Sequence, residues 1–123
     1  MWLDKISEYL NLYGGEDLLF ILTEISSRQK MSYLDILELA SQGYGVSSSE
    51  GTGYGLDQDW DYPEDFDHVA FFIGEYESSV LSIQSYVQLV DLITKAYLDY
   101  YPDDKDRALK YLGKLHERYS VVE

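Results

Sequence analysis

Hydrophobic positions recur at helical spacing near both ends of the chain and gather into short runs in its middle. Trp2, Ile6, Tyr9, Leu10 and Tyr13 fall on one helical face, and Gly14-Gly15 follows as a stop. The next stretch, EDLLFILTEISSRQK, opens with two acids and closes on Arg28 and Lys30, the order a helix dipole favours. Its Leu18, Leu22 and Ile25 share a face. Ser32-Tyr33-Leu34-Asp35 then reads as a variant capping box that opens a third helix through about Ala40. The pattern leaves open whether the second and third helices form one bent helix.

From Ser41 to Gly55 the sequence becomes SQGYGVSSSEGTGYG, which predicts a loop, and a loop of this length in a compact domain is often functional. It has no P-loop and no strand–GxGxxG–helix pattern, so nothing supports a phosphate cradle. Val69 to Ile73 is a short apolar run suited to a buried strand. Gly74 to Ser79 resembles a turn region and Val80 to Ile83 a second strand, so the pair reads as a hairpin. Ser85 with Gln88 offers a capping box for a helix striped by Tyr86, Leu89, Val90, Ile93, Ala96, Tyr97 and Tyr100. Pro102 ends it, and Asp103 or Asp104 caps a last helix lined by Leu109, Leu112, Leu115, His116 and Tyr119. The short linker makes the last two helices antiparallel. The expectation is one α+β domain over residues 1–123: N-terminal helices, a small antiparallel sheet around 69–83, and a C-terminal antiparallel helix pair.

Composition narrows the class. With 123 residues, 46% of them apolar, the chain can bury a single core. It has no apolar run near the roughly 20 residues of a membrane span, so no membrane partner is expected. The first residues, MWLDKISEYLNLYGG, carry acids and do not read as a signal peptide. Without cysteine there is no disulfide framework and no thiolate metal site. A cytoplasmic protein is expected.

Charge changes the picture most. Nine Lys and Arg face twenty-three Asp and Glu, for a formal net charge of -14. No Lys or Arg occurs from Met31 to Thr94, and six carboxylates crowd into the stretch from Asp57 to Asp67. Such a field repels nucleic acid phosphates and attracts basic proteins. Solubility is the simpler reading, but a surface built for solubility normally interleaves both signs.

The candidate chemistries thin out on inspection. Asp57, Asp59 and Asp61 have the alternate spacing of an EF-hand opening. The motif then places Tyr62 where glycine belongs and His68 where the closing glutamate belongs. No serine sits in a nucleophile elbow, and His116 falls on the apolar side of the last helix, as a core or boundary residue would. His68 is either an acid–base residue or a strand-edge residue. Carboxylate pairs are too abundant to single one out. No catalysis and no cofactor is expected. Of the 13 tyrosines, Tyr9, Tyr86 and Tyr97 sit on helical stripes. Tyr44, Tyr54, Trp60 and Tyr62 instead lie where no periodicity demands them. They suit interface anchors, and for Trp60 and Tyr62 the alternative is a lid folded onto the core.

The order of several features resembles a known group. SYLDILELA leads into Gly43-Tyr44-Gly45 and Glu50-Gly51, then Tyr62-Pro63-Glu64-Asp65-Phe66-Asp67 and the run HVAFFI. SSVLSI with Ser85-Tyr86-Val87 follows, then AYLDYYPDDKDRALKYLGKL. Over about residues 31–118 this is similar to the CdiI-type immunity proteins of bacterial contact-dependent growth inhibition, in the group paired with ribonuclease toxins. The likeness rests on the P-x-D-F-D step into a strand and the A-Y-L-x-x-Y-P helix end. The resemblance implies a cytoplasmic protein, monomeric in a 1:1 complex, that occupies the basic groove of a toxin's C-terminal nuclease domain. Asp57, Asp59, Asp61, Glu64, Asp65 and Asp67 are then the candidates for pairing with toxin Lys and Arg. Tyr54, Trp60 and Tyr62 are the candidate anchors, and Glu75 and Glu77 extend the patch. Two other readings make different demands. A nucleic-acid mimic aimed at a DNA-acting enzyme needs acids spread along one elongated face. A hydrolase needs a pocket holding acids together with His68.

Overall fold

The computed structural model describes residues 2–120. A 3₁₀ turn at Trp2–Ile6 runs into helix α1 (Ser7–Leu12), followed by α2 (Glu16–Ser27) and α3 (Tyr33–Ser41). All three helices end by the same device. A residue with positive φ follows each one: Gly14 at 78°, Gln29 at 53° and Gly43 at 92°. The next amide then turns back to a carbonyl in the last turn, from Gly15 to Leu10 (2.7 Å), Lys30 to Ile25 (3.2 Å) and Tyr44 to Leu39 (2.9 Å). Helices α2 and α3 are therefore separate. The capping box expected at Ser32 is present: its hydroxyl accepts from the Asp35 amide, and Asp35 accepts from the Ser32 amide.

The Gly/Ser stretch is not a loop. Val46–Ser49 (β1) and Thr52–Tyr54 (β2) form a hairpin, and His68–Ile73 (β3) with Tyr76–Ser82 (β4) form another. The four strands make one antiparallel sheet in the order β1-β2-β3-β4. Serine and glycine are poor strand formers, and β1 and β2 hold because glycines let the backbones approach. A Cβ on Gly45 would fall on the Tyr54 carbonyl. The second hairpin is longer than its apolar letters implied. Its turn is only Gly74-Glu75, both at positive φ, and Glu77 belongs to β4, paired with Phe72.

Ser82, not Ser85, caps the long helix α4 (Ile83–Tyr100), its hydroxyl accepting from the Ser85 amide at 3.0 Å. After a 3₁₀ turn at Pro102–Asp104 comes α5 (Lys105–Arg118). Tyr97 of α4 bonds Asp104 at the start of α5, and Asp91 bonds His116 near its end, so the two run antiparallel. The fold is thus α+β, with helices packed on one face of the sheet. One core gathers Leu10, Ile21, Leu37, Phe71, Tyr86, Ile93 and Leu115, each at most 1% exposed. The buried line of α5 is Ala108, Leu115 and Tyr119, with Tyr111 and Leu112 beside it. Leu109 and Tyr100 are surface residues, 48% and 55% exposed. His116 is also exposed, with Nε2 2.6 Å from the Asp91 carboxylate, so it is not a core residue. Among the described residues no helix is long and apolar enough to cross a membrane.

Two glycines separate packing from propensity. Gly45→Ala forces the Tyr54 backbone aside and is expected to lower stability by about 2 kcal/mol or more. Gly113 sits in α5 with open space around it, so Gly113→Ala should raise stability by about 0.5–1 kcal/mol. Urea denaturation of both variants measures the two shifts.

Candidate partner-binding face

The acidic segment begins on a buried leucine. Leu56 is fully buried, and the 3₁₀ turn Asp57–Asp59 follows it. Asp59 Oδ2 accepts the amides of Leu56 (2.9 Å) and Gly45 (2.7 Å), joining the segment to the start of the β1–β2 hairpin. Asp57 is held from the other side. Arg118 donates to it from Nε (3.1 Å) and Nη2 (2.7 Å), and the Tyr119 hydroxyl and Gln58 amide also donate to it. Desolvation on its own pushes the Asp57 carboxyl up. The hydrogen bonds from Arg118, Gln58 and Tyr119 outweigh it and hold the carboxyl at about 2. The arginine that answers Asp57 therefore comes from this chain, 61 residues away. Asp57 is answered from within, while Asp59 is exposed with Oδ2 engaged by backbone amides.

The aromatic candidates also divide. Tyr54 is a core residue, 7% exposed, packed 5.1 Å from Phe71 and 5.8 Å from Tyr86. Burial pushes its hydroxyl up to about 12, and it is not available as an anchor. Trp60 is half-buried and folds back edge-on to Phe66 (5.3 Å) and His68 (5.2 Å), which is the lid arrangement. Phe66 in turn packs 5.9 Å from Tyr119, so the lid rests on the Asp57 tie. Tyr62 stands out at 66% exposed. Asp61, Glu64, Asp65 and Asp67 are exposed as well, and among the described residues only Asp67 has a Lys, Arg or His within ion-pair distance, His68 Nδ1 at 2.6 Å.

Beside this loop lies a surface the sequence did not single out. Along β3, Val69 and Phe71 are buried, while His68, Ala70 and Phe72 face the other way. Val80 pairs with Ala70 and is 52% exposed; Phe72 is 40% exposed. The outer face of the sheet thus has an apolar centre, with Trp60 over its His68 end. At the other end stand Glu75, Glu77 and Tyr76, the last 80% exposed. Four residue steps along β3 take the chain from His68 to Phe72, about 13 Å at strand rise. Glu75 and Glu77 therefore form a second acidic group across the apolar strip, not an extension of the first.

A signal for this face was present in the letters. An antiparallel strand covered on one side should alternate apolar and polar, yet HVAFFI and Val80 are apolar on both sides. Such excess reads as a strand buried on both faces; here one face stays open, as interaction surfaces do.

The cavity of about 400 Å³ beside the loop is lined by Asp59, Trp60, Asp61, Tyr62 and Asp65. His68 faces Trp60 and Asp67 instead. Among the described residues no three His, Asp or Glu side chains converge as a metal would require. No family model, curated protein or solved structure matches the chain.

Two substitutions probe the face. Asp57 titrates at about 2 when folded against an ordinary 3.8, so its contribution is whole above about pH 4 and disappears as pH falls through 2. Asp57→Asn should cost about 1–2 kcal/mol at neutral pH, after allowance for solvent at the Arg118 end. The gap between wild type and variant should close between about pH 4 and 2, as followed by denaturation at several pH values. Glu75 holds a positive φ of 74° that costs a side-chain residue energy. Glu75→Gly should raise stability by about 0.5–1 kcal/mol in the same measurement.

Proposed function

We propose that this is an immunity-type protein that binds and neutralises a basic nuclease toxin, acting in the cytoplasm of the cell that makes both. The observation that carries the reading is a rigidly mounted loop whose outward acids lack Lys or Arg partners among the described residues, set beside an exposed apolar strip. Asp61, Glu64 and Asp65 have no Lys, Arg or His within ion-pair distance among the described residues. The segment carrying them is nonetheless tied down by Asp57 and Asp59, so little ordering entropy is lost on binding. Free acids on a fixed frame suit a partner that brings arginines and lysines. The acids raise the association rate and select a basic groove, while Tyr62, Phe72, Val80 and Tyr76 supply area that slows release. The resemblance to CdiI-type immunity proteins points the same way and names a ribonuclease as the target.

The nucleic-acid mimic fits less well. Its acids should run along one face at phosphate-like intervals, whereas here two acidic groups flank an apolar centre.

The test begins with the neighbouring reading frame, whose product should end in a basic nuclease domain. Co-expression of this chain should rescue cells from that domain, and the two should elute together from a sizing column. Absence of both rescue and complex sinks the proposal. Lysine at Asp61, Glu64, Asp65 and Asp67 together should weaken binding at least tenfold and flatten its salt dependence. Unchanged affinity and salt response would move the interface off this loop.

A further inference from the structure

Strand pairing leaves a gap in the outer face of the sheet. Ser47, Gly53, Phe72 and Glu77 stand opposite one another in register, so they share one row across the four strands. Gly53 adds no side chain to that row, and Phe72 beside it stays 40% exposed. A cavity of about 360 Å³ lies here, lined by Gly51, Gly53 and Gly55 together with Ser47, Phe72 and Glu75.

Its walls are fixed before a partner arrives. The Glu75 amide donates to the Gly51 carbonyl (2.8 Å), and the Gly74 amide donates to the Thr52 hydroxyl (2.9 Å). The two hairpin tips are thereby joined. The Glu75 side chain lies across Gly51, where a Cβ would run into its Cγ. A glutamate is held here at a φ of 74°, which glycine would adopt at less cost.

The groups present select the ligand. One cavity offers an exposed aromatic ring and a carboxylate that has no Lys, Arg or His within ion-pair distance among the described residues. An arginine side chain uses both. Its planar guanidinium stacks on a ring, and its fork of N–H donors matches a carboxylate. A lysine ammonium, a compact and strongly hydrated point charge, makes less of the ring. An apolar side chain would desolvate the carboxylate without answering it. We propose that this cavity is the socket for one arginine of the basic partner, laid against Phe72 and paired with Glu75. The inference rests on the binding of a basic protein proposed above and goes beyond it by naming the residue that enters the sheet face.

The test uses the full chain and the nuclease domain encoded by the neighbouring reading frame, with affinity measured by calorimetry. Glu75→Gln and Phe72→Ala should each weaken binding about tenfold or more. Asp106→Asn removes an acid from α5, away from the sheet, and should change affinity less than about twofold. Glu75→Gly should bind as weakly as Glu75→Gln although it folds more stably, which separates a partner contact from a structural role. Each arginine of the nuclease domain is then replaced by lysine. One replacement should cost about tenfold against the wild-type chain and little further against Glu75→Gln. A complex that forms with Glu75→Gln and Phe72→Ala at wild-type affinity, or in which no arginine couples to Glu75, overturns the socket and leaves the immunity reading standing. No complex with the wild-type chain sinks that reading, and the socket with it.

Discussion

The placement of the acidic segment depends on one cluster, Asp57 with Arg118 and Tyr119. It joins a loop after β2 to the last turn of α5, elements separated by 61 residues of sequence. The guanidinium lies across Gly43, where a Cβ would come within 2.6 Å of Nη2, so the end of α3 enters the same cluster. Gly43 itself accepts the Gln58 amide at 2.9 Å. Three parts of the chain are thereby fixed to one another by a partly buried, bidentate ion pair. Such pairs contribute geometry more dependably than energy. That is the contribution the face needs, because Phe66 rests on Tyr119 and Trp60 rests on Phe66.

The acids between 57 and 67 therefore have two occupations. Asp57 is tied by Arg118 and Asp59, though exposed, holds two backbone amides through Oδ2, so both build the loop; Asp61, Glu64, Asp65 and Asp67 remain outward. Sequence alone counts all six as equal, because the residues that answer Asp57 and Asp59 are far away or are backbone amides. Arg118 follows the acidic middle by dozens of residues, and the Gly45 and Leu56 amides carry no letter at all. The same blindness placed Tyr54 among the anchors, since a Gly-rich context hides a ring that two flanking glycines let into the core.

Local signals were legible wherever they were decided locally. The Ser32–Asp35 box, the helix stop at Gly14-Gly15, the proline end of α4 and the existence of the second hairpin depend on neighbouring letters. Cap positions slipped where serines repeat, and Ser82 won over Ser85 because α4 begins as β4 ends. The first hairpin was missed because its strands are short and their stability is borrowed: β2 pairs with Phe71 and Phe72 of β3, and Thr52 accepts the Gly74 amide from the next turn. Such strands have no pattern of their own to read.

The open sheet face joins two readings that composition sets apart. An exposed strip of Ala70, Phe72 and Val80 beside an edge strand invites self-association. Here the strip ends at both sides in acids, and β4 carries Glu77 and an irregular register between Phe71 and Phe72. Two copies of this chain meeting face to face would bring like charges together over both ends, in a molecule already at -14. A basic surface meets the opposite condition at the same positions. On the proposed reading, the charge that opposes a meeting of two copies would also admit a cationic partner, and solubility and selectivity would become one property of this face. What separates them is the apolar centre. A protein acidic only for solubility has no use for Phe72 and Val80 in water, and a partner surface does.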